Sequence, residues 1–158
     1  MNLTFAIPNG RMTILADEFF RSAGMRQVRK MFKLYQETDP KPEEVAGLRE
    51  FLEEECVKAR TKKEKYAVIW LMRRGDLKEA EKSSVRLHNL RESGHACDSD
   101  QLQKARNEIV TKRRLTREAA SEIKKAEKLE IRYANIREEL VRRFGEVLEE
   151  EYNGENKD

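Results

Sequence analysis

The sequence predicts a mainly α protein: a helical bundle with an N-terminal β-hairpin (Leu3-Leu15) and a long C-terminal amphipathic helix. Three observations predict it. Apolar residues recur at three- and four-residue spacing along most of the 158 residues. Only seven Gly and three Pro punctuate the chain. Charged residues make up 40% of it, with a net charge of only +3, against roughly 25% charged in an average soluble domain.

The hairpin rests on Leu3-Thr4-Phe5-Ala6-Ile7 and Arg11-Met12-Thr13-Ile14-Leu15, which flank Pro8-Asn9-Gly10. Asn-Gly tolerates the positive φ that tight hairpin turns require. A lone hairpin is marginal in water, so it must lie on helices. From Asp17 the spacing turns helical, through Phe19, Phe20, Val28, Met31, Phe32 and Tyr35. Asp39-Pro40-Lys41-Pro42 ends that segment, because the residue before a proline is pushed out of the helical region. Pro42-Glu43-Glu44 opens the next helix, whose stripe is Val45, Leu48, Leu52, Cys56 and Ala59.

Further starts are read at two capping-box patterns, Thr61-Lys62-Lys63-Glu64 and Asp76-Leu77-Lys78-Glu79. Between them Tyr66-Ala67-Val68-Ile69-Trp70-Leu71-Met72 is apolar on all sides, which predicts a central buried helix. Arg73-Arg74 and Gly75 supply its stop. The next helix ends by Gly94. His95 to Asp100 form a loop in which Asp98, Ser99 or Asp100 caps the succeeding helix. From about Arg117 to Tyr152 a long amphipathic helix carries Ala119, Ala126, Tyr133, Leu140 and Val147 every seven residues. Its companion seam is interrupted at Glu122 and Arg143, so antiparallel packing on a neighbouring helix is expected in place of a long coiled coil. The total is about five to seven helices. Eight of the eleven aromatic residues precede residue 71. That places a compact core in residues 1–75 and an extended helical part in 76–158, joined as two domains or one continuous one.

Several function classes are excluded. No apolar run approaches the ~20 residues of a membrane helix. No secretory signal is visible, and two Cys make no disulfide framework, so a cytoplasmic protein is expected. No Gly-rich phosphate loop or catalytic pairing stands out, so no enzyme and no cofactor are expected. Cys56, following Glu53-Glu54-Glu55 in an apolar stripe, reads as a buried inert thiol. His88, His95, Cys97, Asp98 and Asp100 offer zinc-type ligands, but without a usual ligand spacing, so no metal is assigned.

Charge is segregated along the chain. Residues 61–117 hold 15 basic and 8 acidic residues, net +7, while residues 118–158 hold 8 and 12, net −4. A basic middle points to a polyanion, or to pairing with the acidic end. The sharpest cluster is Lys112, Arg113, Arg114 and Arg117, with Lys104 and Arg106 one to two turns earlier. Lys62, Lys63 and Lys65, beside Lys58 and Arg60, form a second cluster. Arg26, Arg29, Lys30 and Lys33 form a third. A helix-turn-helix at Arg74-Gly75-Asp76 is disfavoured, because Glu79 and Glu81 would repel phosphate at the start of the reading helix.

The expected function is therefore non-enzymatic. The chain engages nucleic acid or a nucleic-acid-bound protein, as a small phage or mobile-element regulator or inhibitor of a nucleoprotein enzyme would. The alternative is a protein–protein adaptor or oligomeriser acting through the C-terminal helix at Leu129, Tyr133, Ile136 and Leu140.

Overall fold

A computed structural model describes the strands Asn2–Ile7 and Gly10–Leu15 and residues 41–155. The described chain is mainly helical. Strands β1 (Asn2–Ile7) and β2 (Gly10–Leu15) pair antiparallel, with Leu3 opposite Ile14 and Phe5 opposite Met12. The seat of the hairpin on helices, the helices expected between Asp17 and Asp39, and the cluster Arg26, Arg29, Lys30 and Lys33 lie outside the described residues.

Two helices account for the rest: α1 (Pro42–Glu92) and α2 (Ser99–Glu155). The sequence pointed to more, and the difference has a physical cause. The patterns at Thr61 and Asp76 and the stop at Gly75 all lie inside α1. A cap is worth about 1 kcal/mol, and an interior Gly costs about as much. Neither ends a helix whose stripe continues to pack on both sides of it.

The true ends carry full signals. At the start of α1 the Glu44 carboxylate accepts from the Lys41 amide at 3.1 Å. Pro42 takes the first helical position, where its missing N–H costs nothing. At its end Gly94 adopts φ +80°. Its amide donates to the Arg91 carbonyl, and the His95 amide donates to that of Leu90, at 3.1 and 3.0 Å. This is a Schellman motif, whose left-handed residue favours Gly. Asp98 then starts α2: its carbonyl accepts from Gln101 and Leu102, and its carboxylate from the Asp100 amide.

The chain forms two compact units, Met1–Lys58 with Leu129–Asp158, and Ala59–Lys128. The first holds the larger apolar core. Val45, Leu48, Phe51, Leu52 and Cys56 from α1 are buried, as are Ile136, Leu140 and Phe144 from α2. The Cys56 thiol donates weakly to the Glu130 carbonyl oxygen at 3.9 Å. Phe144 leaves helical geometry, with φ −123° and ψ 21°, just before Gly145. The chain from Ser99 to Glu155 is thus one helix with a kink beside a glycine, a common place for one.

The second unit, Ala59–Lys128, is a pair of helical segments meeting along one seam. On α1 the covered positions run Ala59, Lys63, Tyr66, Trp70, Arg73, Leu77, Ala80, Ser84 and Leu87, in steps of four and three. On α2 they run Leu102, Ala105, Ile109, Lys112, Thr116, Ala119, Ile123 and Ala126. This is the heptad spacing of a coiled coil. Its members include Lys, Arg, Ser and Thr, which hid the pattern from a search for apolar residues alone.

The expectation of an all-round buried helix at Tyr66–Met72 is overturned: Val68, Leu71 and Met72 are 59, 62 and 67% exposed. A helix with a single partner buries one stripe, whatever the composition of its other faces.

Two outcomes test this distribution of burial. Ile136→Ala should destabilise the protein by about 2–5 kcal/mol, as core truncations do. Val68→Ala should stay within about 0.5 kcal/mol. Denaturant titration of both variants checks the contrast. The second outcome concerns acid. The Arg142 guanidinium and Arg143 Nε donate to Glu139 at 2.7 and 2.6 Å and hold its carboxyl down at about 2. A carboxylate depressed in the folded state stabilises above its unfolded pKa, roughly 4.3, and the stabilisation fades as pH falls toward 2. Glu139→Gln should therefore melt below wild type at pH 7 and together with it at pH 2.

Candidate nucleic-acid interface

The basic residues singled out in the sequence separate into three environments. Lys112 and Lys63 are seam positions, half-covered between the helices. Lys112 Nζ lies 3.1 Å from Glu108 on its own helix. Lys62 and Arg113 sit at the edges of the seam and bridge it. Lys62 lies 3.5 Å from Glu122, and Arg113 donates to Glu81 at 3.0 Å. Arg106, Arg114, Arg117 and Lys65 are exposed. Arg114 pairs with Glu118 at 3.2 Å, one turn away on the same helix. Arg106 and Arg117 have no ion pair among the described residues.

The two bridges fix how the segments face each other. Lys62–Glu122 lies on one flank and Arg113–Glu81 on the other. Together they place Trp70 near the level of Ala119 and Arg73 near that of Thr116. The Arg73 guanidinium agrees with this register, since it donates across the seam to the Leu115 carbonyl at 2.7 Å. Arg73 thus acts in mid-helix and not at a helix end. No signal local to Arg73 revealed that role, because it depends on which α2 residue arrives opposite.

Helical spacing then defines one outward face of α2. It carries Gln103, Arg106, Asn107, Val110, Arg113, Arg114, Arg117, Ser121 and Lys124, all within the turns between Gln103 and Ala126. Over this stretch one acid, Glu118, borders that face, and Glu108 and Glu122 lie toward the opposite flank. Val110, Arg113, Arg114, Arg117, Glu118 and Ser121 border an open concavity there. Arg74 of α1 adds to the same side, being two turns before Glu81. Its guanidinium lies 5.0 Å from the centre of the Trp70 ring, within cation–π range. Sequence reasoning missed Arg74 because it placed a helix end there.

The opposite flank is compensated. Glu122 accepts from Lys125 at 2.7 Å, which with nearby Lys62 lowers its pKa. Lys62 also lies 5.9 Å over the Tyr66 ring. Grouped by compact unit, the charges sort more sharply than along the chain. Ala59–Lys128 holds 19 basic and 11 acidic residues, net +8; the remainder holds 14 and 19, net −5.

The helix interface expected near the C-terminus divides. Ile136 and Leu140 are fully buried in the core of the first unit, Tyr133 is half-covered, and Leu129 is 40% exposed. The loop residues suggested for metal do not converge. No group of three or more His, Cys, Asp or Glu able to hold a metal ion occurs among the described residues. The Cys97 thiol instead lies 3.9 Å from Gln101 Oε1. No helix among the described residues is long and apolar enough to cross a membrane. No protein-family model matches the chain, and comparison with curated proteins and with solved structures finds no match.

Whether the Arg113–Glu81 bridge quenches the basic face is measurable. Both side chains are about half exposed, and such pairs couple by about 0.2–1 kcal/mol. A double-mutant cycle with Arg113→Ala and Glu81→Ala should return a value in that range, falling with added salt. Arg113 would then stay easily diverted to a stronger anion.

Proposed function

We propose that this protein is a non-enzymatic nucleic-acid-binding protein whose unit Ala59–Lys128 engages the phosphate backbone. The observation that carries this reading is the basic face of α2, on which Glu118 at one edge is the single acid between Gln103 and Ala126. Arg106, Arg113, Arg114 and Arg117 project together over three turns, with Gln103, Asn107 and Ser121 among them as uncharged hydrogen-bond donors. Guanidinium groups suit phosphate, because their planar fork matches two oxygens at once. Pairing of Arg113 and Arg114 to surface carboxylates does not oppose this, since exposed pairs are weak. Lys62, Lys63 and Lys65 contribute less: the first two are engaged at the seam, and only Lys65 projects outward. A regulator or inhibitor acting on a nucleoprotein enzyme is the biological form this reading favours.

Fluorescence anisotropy with labelled DNA and RNA across a salt series tests it. Each phosphate contact contributes about 0.9 to the slope of log affinity against log salt for duplex DNA. Arg106→Gln with Arg117→Gln should lower the slope by about 2 and weaken binding at low salt. Absence of binding at low salt, or binding indifferent to this double substitution, would overturn the proposal.

A further inference from the structure

We propose that the outer face of α1 centred on Leu71 and Met72 docks a second copy of this chain, with the two α1 helices antiparallel about a two-fold axis between those residues. The inference rests on α1, whereas the nucleic-acid reading is carried by α2; Lys65 is the one residue that enters both.

The face is apolar and bare. Val68, Leu71 and Met72 lie on adjacent turns of one side of the helix, and each is more than half exposed. Scattered exposed apolar residues need no explanation, but a contiguous group marks a contact surface. Gly75 completes the group. It sits inside a 51-residue helix, where Gly costs about 1 kcal/mol relative to Ala. A methyl group added there would meet nothing within 4 Å. The fold of one copy therefore gives no reason for a glycine at this position.

The surrounding charges identify the occupant. Reversing α1 about the point between Leu71 and Met72 keeps each edge of the face against the same edge of its copy. Leu71 is then set beside Leu71, and Met72 beside Met72. Val68 falls opposite Gly75, where the missing Cβ leaves room for it. On one edge Glu64 falls opposite Lys78, and on the other Lys65 falls opposite Glu79. The two-fold axis repeats each of these pairs, as in any isologous interface. That gives four ion pairs, all of opposite sign. A parallel arrangement would instead set Val68 on Val68 and Gly75 on Gly75, which leaves the space at the glycine unfilled. Moving the centre one turn either way along the helix sets charged residues against Leu71 and Met72.

The flanking groups are available for this. Glu64, Lys65 and Lys78 have no partner among the described residues. Glu79 lies 2.9 Å from Lys82, a pair exposed at both ends and weak for that reason. A contact of about four turns is small beside standard interfaces, so the dimer should be weak and concentration-dependent.

Sedimentation equilibrium of the nuclease-treated, full-length protein over a wide concentration range tests the proposal. Circular dichroism would confirm that each variant keeps its helix content, as expected for exposed positions. Leu71→Asp should abolish self-association. Lys65→Glu should weaken it several-fold, by placing like charges opposite each other twice. Adding Glu79→Lys to Lys65→Glu should restore it to within about twofold. A protein monomeric at every concentration, or a dimer that survives Leu71→Asp, overturns the proposed face. A dimer lost with Leu71→Asp but not rescued by the charge swap overturns the antiparallel register.

Discussion

The contact on which the unit Ala59–Lys128 depends is a single stripe of side chains on each of two helical segments. A helix with one neighbour can bury one stripe and no more. Everything outside that stripe stays in water, whatever its chemistry. In the unit Ala59–Lys128 this constraint has two consequences. Ala59, Ala80, Ala119 and Ala126 are buried together with Leu102, while the larger Tyr66 and Trp70 reach only partial cover. Polar residues can also enter the stripe, because their ends extend to solvent at its edges. Arg73 and Lys112 do so, and no side-chain nitrogen or oxygen that is buried lacks a partner among the described residues.

The same constraint separates apolar burial from exposed charge. Apolar burial concentrates in the first unit, where Leu48, Leu52, Ile136 and Leu140 exclude water almost completely. The basic excess concentrates in the second, where little is buried that a charge would disturb. Unlike a core position, an exposed guanidinium can meet a ligand without unpacking anything. The ion pairs that cross its seam, Lys62–Glu122 and Arg113–Glu81, align the two segments more than they stabilise them.

Much of the architecture was legible from local chemistry. The start at Pro42-Glu43-Glu44, the stop at Gly94 and a cap within Asp98-Ser99-Asp100 each depend on residues within a few positions, so each could be read directly; the structure then picks Asp98. The same kind of reading introduced false ends at Thr61 and Asp76, because a capping pattern inside a helix has the same composition as one at its terminus. Arg106, Arg113, Arg114 and Arg117 could be grouped from helical spacing, which is again local. Arg74 and the cross-seam role of Arg73 could not, since both require knowing that the helix continues and what lies opposite.

The sequence by itself determined the helical character, the candidate helix ends and the clustering of basic residues, because hydrogen bonding to near neighbours and a 3.6-residue period settle them. Only the tertiary structure decided which apolar residues are buried. Tyr66 to Met72 is the most apolar run in the chain, yet Val68, Leu71 and Met72 face outward. Hydrophobicity states how much a side chain gains from leaving water; the number and placement of neighbouring helices state whether it can. With one neighbour among the described residues of the unit Ala59–Lys128, α1 covers Trp70 in part and leaves Leu71 exposed.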